Sequence, residues 1–325
     1  MLVLRTVDEL RRWSRATRIR ANTALGEGDG LQPVHSECLQ GPALAAEGRL
    51  AGPRISGAST IGLVPTMGAL HAGHVSLIRA ARAACTHVAV SLFVNPTQFG
   101  PNEDFARYPR SFSADCVLAE SEGADVLFAP AAVELYPNGP ESTFVEVPGL
   151  SQRLDGASRP GHFRGVATVV AKLLLAAEPD LAFFGQKDAA QVAVLRRLVV
   201  DLRLAVEIVV CPIVRDPDGL ALSSRNAYLS PSERAQALTL SRAIRRVESL
   251  VAQGERRAAT LLAAARGIFD AERISFAAEP AIRINYIALV DWSTLLPVET
   301  AVPGTLFAVA AYVGSTRLID NTVIV

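Results

Sequence analysis

Short apolar runs alternate with amphipathic stretches through the middle of the chain. The runs predict buried strands at 61–64, 88–94, 126–129, 181–184 and 208–210. The amphipathic stretches predict helices at 74–84, 113–122, 165–176 and 189–198. This alternation predicts an α/β fold, a Rossmann-like parallel sheet with helices on both faces. Such sheets bind ligands at the carboxyl ends of their strands.

The amino-terminal region departs from this alternation. Val7, Leu10 and Trp13 are spaced by three on a charged background, which predicts a short amphipathic helix over residues 6–18. The stretch from about 22 to 59 is rich in Gly and Pro and has little periodicity, as expected of a loop or insertion. We therefore look for the chemistry in the rest of the chain.

The carboxyl-terminal region also differs from the middle. Ser230, Pro231 and Glu233 supply an N-cap, a first helical proline and a capping-box acid, and they open a long helix that Gly254 interrupts. Runs rich in β-branched residues then predict strands at 282–290, 306–313 and 316–325. We therefore expect two domains: residues 1–212, a Rossmann-like domain with the insertion at about 22–59, and residues 213–325, a smaller α+β domain.

Charge and apolar content narrow the classes of function. The chain has 325 residues, with 32 Lys+Arg against 32 Asp+Glu, whereas a nucleic-acid surface needs clustered positive charge. Charged residues interrupt every apolar stretch before the roughly 18 residues of a membrane helix, and the first residues lack a signal-peptide core. We expect a cytoplasmic protein that binds small molecules, with no nucleic-acid or membrane partner. Its four cysteines form no Cys-x-x-Cys pair and are expected to be small buried hydrophobes.

The most specific motif is the loop at 65–74, which joins the predicted strand at 61–64 to the predicted helix at 74–84. Gly68 and Gly73 permit close approach of the backbone to a ligand, and the start of the helix offers free N–H groups to an anion such as phosphate. His71 and His74 can donate hydrogen bonds to the same phosphate, or add charge when protonated. Their spacing differs from the i, i+4 pair of a zinc protease helix. Simple capping of the helix by the two histidines is the alternative.

A second motif, at 183–188, again directly follows an apolar strand. Lys187 suits a phosphate as a point charge, Asp188 suits ribose hydroxyls, and Gly185 permits close backbone contact. Taken alone, the motif could equally be a surface turn with a solvated Lys-Asp pair.

A third motif, at 222–226, follows the turn signal at 216–219. The hydroxyls of Ser223 and Ser224, together with the guanidinium fork of Arg225, would form a mobile clamp for the outer phosphates of a nucleotide. A helix-capping pair of serines is the competing interpretation.

A fourth motif, at 94–99, ends another predicted strand. Gln98 offers both a donor and an acceptor to a polar substrate. An ordinary turn would account for Asn95 and Pro96.

These four loops, in this order, resemble the pantoate:β-alanine ligase family of the HIGH-motif nucleotidyltransferase superfamily. The resemblance covers about 1–20 and 60–325, and it extends to Tyr108-Pro109-Arg110, to Arg159-Pro160-Gly161-His162-Phe163 and to the stretch at 316–321. A generic nucleotide-binding fold requires none of these three stretches at 108–110, 159–163 and 316–321.

The resemblance implies an ATP-dependent condensation of pantoate with β-alanine to pantothenate, a coenzyme A precursor. Pantoate would attack the α-phosphate of ATP to give pantoyl adenylate and pyrophosphate, and the β-alanine amine would then displace AMP. The family likeness further implies a homodimer. The phosphate donors Ser223, Ser224 and Arg225 lie past the change in chain character, whereas Lys187 and the histidine loop belong to the sheet domain. We therefore expect residues 213–325 to form a lid that closes over ATP. A nucleotidylyltransferase of the same superfamily, a catalytically inactive nucleotide-binding relative and a class I aminoacyl-tRNA synthetase are the alternatives.

Site residues follow from the resemblance, position by position. The catalytic residues it implies are His71, His74, Lys187 and Arg225. The implied ATP-binding residues are Met67, Gly68, Ala69, Leu70, His71, Ala72, Gly73, His74, Gly185, Gln186, Lys187, Asp188, Val214, Leu222, Ser223, Ser224 and Arg225. Gln98 and Gln191 would hold pantoate.

Two positions depart from the family pattern. Leu222 stands where relatives often have Met, a swap of similar volume that should matter little. Asp115 is the only carboxylate in the stretch at 113–115, where some relatives have a cluster near magnesium. Mg²⁺ is expected as the companion of ATP, and its ligands stay unassigned.

Overall fold

A computed structural model describes residues 1–24, 59–101, 103–139, 142–275 and 282–325. Its first part consists of β1 (Leu2–Leu4), α1 (Val7–Ala24), β2 (Ile61–Thr66), α2 (Ala72–Ala84), β3 (His87–Leu92), α3 (Phe112–Ser121), β4 (Val126–Phe128), α4 (Ala132–Leu135), α5 (Pro148–Ser151), α6 (Asp155–Ser158), α7 (His162–Ala177), β5 (Leu181–Gly185), α8 (Ala189–Asp201) and β6 (Glu207–Cys211). Each strand and helix predicted for the middle of the chain is present, with ends shifted by a few residues.

The six strands of the first part form one parallel sheet in the order β1-β4-β3-β2-β5-β6. Neighbouring residues of β2 point to opposite faces, because Leu63 packs with α1 and α7 whereas Val64 packs with α2 and α3. Helices therefore cover both faces, and the predicted Rossmann-like fold is confirmed. The sequence did not predict β1, which is a three-residue edge strand with Leu2 and Val3 exposed and is too short to show a pattern.

The last part contains α9 (Pro231–Ala252), α10 (Ala258–Ser275), β7 (Arg283–Asp291), β8 (Thr305–Val313) and β9 (Thr316–Val323). The predicted helix start is present, since the Ser230 hydroxyl accepts the Glu233 N–H and the Glu233 carboxylate accepts the Ser230 N–H. Gly254, with a φ of 92°, separates the two helices. The strands form an antiparallel sheet in the order β7-β8-β9, and α9 and α10 pack on it.

An apolar layer joins the first and last parts. Phe163 of α7 and Ala189 of α8 pack in one cluster with Val290 of β7 and Leu306 of β8. The Trp292 indole N–H also donates to the Ala189 carbonyl at 2.9 Å. The antiparallel sheet is thus attached to the side of the parallel sheet through a shared core.

Two predictions about domain organisation are not decided by these contacts. The division into domains 1–212 and 213–325 stays a prediction. The predicted insertion at about 22–59 falls mainly on residues 25–58, which lie outside the described residues, while α1 continues through its first positions to Ala24.

Candidate active site

The loop between β2 and α2 is held in an uncommon backbone conformation. Gly68 and Ala69 have positive φ angles of 87° and 51°, a region that is open to Gly and costly for Ala. Asp115 of α3 accepts the Ala69 N–H at 2.9 Å and the Leu70 N–H at 2.8 Å. A neighbouring helix therefore fixes the loop at the carboxyl edge of the sheet.

His71 and His74 cap α2, and both use the same ring atom. His71 Nδ1 accepts the Gly73 N–H at 3.1 Å, and His74 Nδ1 accepts the His71 N–H at 3.3 Å. The capping interpretation is therefore present in the structure. Because Nδ1 is the acceptor in each neutral ring, Nε2 carries the proton and is left to donate. The ring centroids are 4.1 Å apart, so the two imidazoles lie side by side.

Both imidazoles are neutral near pH 7. Burial lowers the pKa of His74 to about 3, and His71 and Lys187 contribute in the same direction. Burial, followed by the charge of Lys187, also lowers the pKa of His71. The sequence alone did not decide whether His71 and His74 are neutral or protonated. In the free protein both rings are neutral and act as hydrogen-bond donors.

Lys187 lies in the short 3-10 helix Gln186–Asp188, which connects β5 to α8. Its Nζ is 3.4 Å from Asp188 Oδ1. This is the Lys-Asp pair that the surface-turn alternative predicts. Asn321 of β9 donates through Nδ2 to the Gln186 carbonyl at 3.0 Å and to the Lys187 carbonyl at 2.9 Å. A side chain from the end of the chain therefore positions the loop that carries the lysine.

The loop with Arg225 is also capped and ion-paired. The Leu222 N–H donates to the Val214 carbonyl at 2.9 Å, and the Ser223 hydroxyl accepts the Arg225 N–H at 3.3 Å. Ser223 is thus the N-cap of the 3-10 helix Ser224–Tyr228, as the competing interpretation had it. Arg225 Nη2 donates to Asp104 Oδ1 at 2.9 Å, which holds the guanidinium across from its own loop.

Gln98 is buried at the end of the 3-10 helix Pro96–Gln98. Asn95 caps this helix, and its Nδ2 donates to Gln98 Oε1 at 3.3 Å and to the Gly165 carbonyl at 3.1 Å. Tyr136 donates its hydroxyl hydrogen to Asn95 Oδ1 at 2.9 Å. Gln98 Oε1 therefore already accepts one hydrogen bond, and Nε2 donates one N–H to Met67 Sδ, which leaves its second N–H for a ligand.

A cavity of about 610 Å³ lies where the two parts meet. The predicted site residues that line it are Lys187, Asp188, Gln191, Ser223 and Arg225. The remaining predicted residues lie outside this lining: Met67, Gly68, Ala69, Leu70, His71, Ala72, Gly73, His74, Gln98, Gly185, Gln186, Val214, Leu222 and Ser224.

The histidine loop nevertheless adjoins the cavity. The charges of Lys187 and Asp188 act on both imidazoles, and a Cβ at Gly73 would lie 3.9 Å from the Leu222 Cβ. The first three predicted loops therefore come together at one place.

Sequence reasoning missed the carboxylates that pair with the arginines of this region. The pairs are Glu103–Arg159 at 2.6 Å, Asp104–Arg225 at 2.9 Å, Asp155–Arg317 at 2.6 Å and Asp320–Arg215 at 2.6 Å. Arg159 and Arg317 lie in stretches that carried the family resemblance, so those stretches were the available signal. The partner of each arginine could not be deduced, because the partners lie far apart in the sequence.

Comparison with known proteins decides the family. A family model described as Pantoate-beta-alanine ligase matches residues 45–323. This chain belongs to that family. Among curated relatives named pantothenate synthetase, that of Acidobacterium capsulatum is 59% identical over 276 residues, or 84% of this chain and 90% of the relative. That of Koribacter versatilis is 54% identical over 265 residues, or 82% of this chain and 88% of the relative.

Solved structures agree with this assignment. The pantothenate synthetase of Thermus thermophilus matches with a TM-score of 0.79 and 39% identity, covering 100% of this chain and 99% of that one. The pantoate-beta-alanine ligase of Francisella tularensis, complexed with beta-gamma ATP and beta-alanine, matches with a TM-score of 0.69 and 30% identity, covering 99% and 97%. The resemblance inferred from the motifs is confirmed, and the protein is a ligase. Among the residues that the structure describes, no helix is long and apolar enough to cross a membrane.

Proposed function

We propose that this ligase makes pantothenate at the cavity through pantoyl adenylate. A carboxylate oxygen of pantoate attacks the α-phosphorus of ATP, and the bond to pyrophosphate breaks. The neutral amine of β-alanine then attacks the acyl carbon, AMP leaves with the electron pair of the acyl–oxygen bond, and the new amide nitrogen releases a proton to solvent. Family membership, and the beta-gamma ATP and β-alanine with which the Francisella relative is complexed, support the overall reaction. Both steps need alignment and neutralisation of phosphate charge, and neither needs a protein nucleophile.

The observation that carries this proposal is the pair of neutral imidazole donors at the carboxyl end of β2. His71 and His74 have their Nδ1 atoms filled by backbone N–H groups, so their Nε2–H groups are oriented before ATP arrives. A preorganised donor stabilises charge that develops on phosphate oxygens without reorganisation during the step. We assign His74 and His71 to the α-phosphate, where that charge appears.

Cations from the other loops would complete the phosphate site. Lys187 and Arg225 line the cavity, each beside a carboxylate, and would bind the phosphates of ATP. Ser223 also lines the cavity, and Ser224 Oγ lies 3.5 Å from the Tyr108 hydroxyl. The backbone around Gly185 and Leu222 would contact the rest of the nucleotide, and Asp188 would accept from ribose hydroxyls.

Pantoate would be held by two glutamines. Gln191 lies on α8 and lines the cavity. Gln98 can offer the second N–H of its side-chain amide, because Asn95 donates to its Oε1 and its other N–H goes to Met67 Sδ. Amide N–H groups suit the carboxylate and hydroxyl oxygens of this acid. β-Alanine must approach on the same side, where the acyl carbon becomes exposed.

Magnesium would enter with ATP and be held mainly by its phosphates. The described residues contain no cluster of three or more His, Cys, Asp or Glu that could hold a metal. A cation shared with phosphates needs only one or two protein carboxylates, so it can be held mainly by the β- and γ-phosphates of ATP. Bound there, Mg²⁺ would neutralise charge on the leaving pyrophosphate.

A homodimer and a cytoplasmic location, both expected from the sequence, are also part of this proposal. ATP as a substrate favours the cytoplasm, and size-exclusion chromatography with light scattering would test the dimer. The balanced charge of the chain favours small-molecule partners over nucleic acid.

Replacing His74 by Ala tests the proposal. We expect kcat for AMP formation to fall about 10² to 10³-fold, the scale for loss of one preorganised donor, while the circular dichroism spectrum stays unchanged. The assay measures AMP with pantoate and β-alanine both present, since a nucleotidylyltransferase would not require the two together. A folded His74→Ala enzyme with near-normal turnover would remove His74 from the mechanism.

A further inference from the structure

Asp115 lies on α3, yet two of its three hydrogen bonds are accepted from the histidine loop. Its Oδ2 accepts the Ala69 N–H at 2.9 Å, and its Oδ1 accepts the Leu70 N–H at 2.8 Å and the Ser111 hydroxyl at 3.1 Å. The residue is only 3% exposed. Both carboxylate oxygens are therefore committed to donors of the protein.

The backbone that Asp115 holds is strained. Ala69 has a φ of 51°, a left-handed conformation that disfavours a residue with a Cβ. Gly68 has a φ of 87°, and a Cβ there would lie 3.1 Å from Asp115 Oδ2. The position thus suits a glycine for two reasons, the backbone angle and the space that the carboxylate occupies.

The two N–H groups that Asp115 accepts belong to residues 69 and 70, directly before His71 in the chain. Leu70 is followed by His71, the N-cap of α2, and His74 Nδ1 accepts the His71 N–H at 3.3 Å. A shift of residues 69 and 70 would carry this N–H with it and would turn both rings. The carboxylate on α3 is therefore coupled to the direction of the Nε2–H donors.

We propose that Asp115 is a positioning residue of the ATP site, which holds the strained loop so that His71 and His74 both address the α-phosphate. This rests on the proposed function, because it requires the loop to bind ATP. It also gives the lone carboxylate of the stretch at 113–115 a role other than magnesium ligation, since its oxygens are already occupied.

The first test is Asp115→Asn, which keeps the shape of the side chain and turns one acceptor into an NH₂ group that faces an N–H donor. We expect kcat to fall at least tenfold, with a smaller change in the KM for pantoate and the same half-saturating Mg²⁺ concentration. Asp125→Asn is the control. Asp125 also accepts a backbone N–H, that of Val88 at 2.7 Å, and pairs with Arg82 at 2.9 Å, but it lies at the amino-terminal ends of the strands, away from the histidine loop. Its kcat should stay within about twofold of the parent value.

The second test is rescue by Ala69→Gly. Glycine adopts a φ near 51° without strain. The loop would therefore depend less on the hydrogen bonds to residue 115 to keep its conformation. The double variant Asp115→Asn with Ala69→Gly should recover at least threefold in kcat over Asp115→Asn alone. If Asp115 served only to start α3, a change at residue 69 would rescue nothing, and that result would overturn the proposal.

Other outcomes separate this proposal from the proposed function. An Asp115→Asn enzyme with full kcat beside an inactive His74→Ala enzyme would overturn the positioning role alone. A raised Mg²⁺ requirement would assign the carboxylate to the metal and overturn it as well. Full activity in both variants would overturn the assignment of the loop to ATP. If Asp115→Asn fails to fold, Asp115→Glu keeps the charge but displaces the carboxylate, and unchanged kcat there would also count against the proposal.

Discussion

His162 shows how one buried side chain links separate parts of the site. Its Nε2 accepts from Arg159 Nη1 at 2.9 Å, and its Nδ1–H donates to the Gln98 carbonyl at 2.8 Å. Glu103 completes the group through two hydrogen bonds of 2.6 Å from Arg159. Protonation of Nε2 would break the bond from Arg159 and set one cation against another. Burial, with Arg159 contributing, therefore lowers the pKa of His162 to about 4.

This low pKa predicts a loss of stability in mild acid. Between pH 6.5 and about 4 the unfolded chain binds a proton at this residue that the folded chain does not, so the free energy of unfolding falls as the pH falls. His162→Gln should remove up to about 1.4 kcal/mol per pH unit from that slope. Urea unfolding of both proteins at pH 8, 7, 6 and 5 measures it. The slopes should agree above pH 7.5, and equal slopes between pH 6 and 5 would contradict the prediction.

At the scale of elements, two short 3-10 helices face each other at the cavity. Arg225 of Ser224–Tyr228 donates to Asp104 of the helix Asp104–Ala106 at 2.9 Å, and the Tyr228 hydroxyl donates to the Arg107 carbonyl at 3.3 Å. In the described part of the chain, Asp104 Oδ2 is buried without a hydrogen-bond partner. The guanidinium fork can keep this carboxylate while a second N–H turns to a phosphate.

Arg225→Lys should therefore weaken catalysis more than binding. Lysine keeps the charge but cannot reach the carboxylate and a phosphate with two parallel N–H groups. We expect kcat for adenylate formation to fall about tenfold or more, and the Kd for ATP to change by less than about threefold. Arg234→Lys is the control, because Arg234 pairs with Asp216 and Asp218 and is not among the cavity-lining residues. Equal losses in kcat and ATP affinity would argue against a role of the fork in the reaction.

At the scale of the whole molecule, the contacts limit which part can close over ATP. Arg317 of β9 donates to Asp155 of α6 at 2.6 Å, and both side chains are largely buried. Together with the apolar layer around Phe163 and Leu306, this pair holds the antiparallel sheet against the first part. A rigid closure of all of residues 213–325 would break these contacts. The expected lid stays a prediction, and the loop at 222–229 takes no part in these contacts.

Hydrogen exchange can locate the closing segment. On addition of ATP and pantoate, we expect slower exchange at 103–108 and 222–229, because the two short helices tighten on the phosphates. Exchange in β7, β8 and β9 should change little. A comparable slowing across the three strands would show that the whole carboxyl-terminal part moves as one body.

The sequence by itself determined the elements and the loops that carry the chemistry. Apolar periodicity is a local property, so it predicted β2, α2 and the antiparallel strands, and parallel strands necessarily bring the loops after Thr66 and Gly185 to one edge. The motifs also sufficed for the family. Among the described residues, β1, the four-residue helices and the short 3-10 helices were not predicted, because so few residues carry no period.

The tertiary structure decided how those residues are held and charged. Asp115 to Ala69, Asp104 to Arg225 and Asn321 to Lys187 are contacts between residues far apart in the chain, and no local pattern names the partner. The neutral state of His74 was likewise undecided by its motif. A pKa depends on burial and on the charges nearby, and packing of the whole chain sets both.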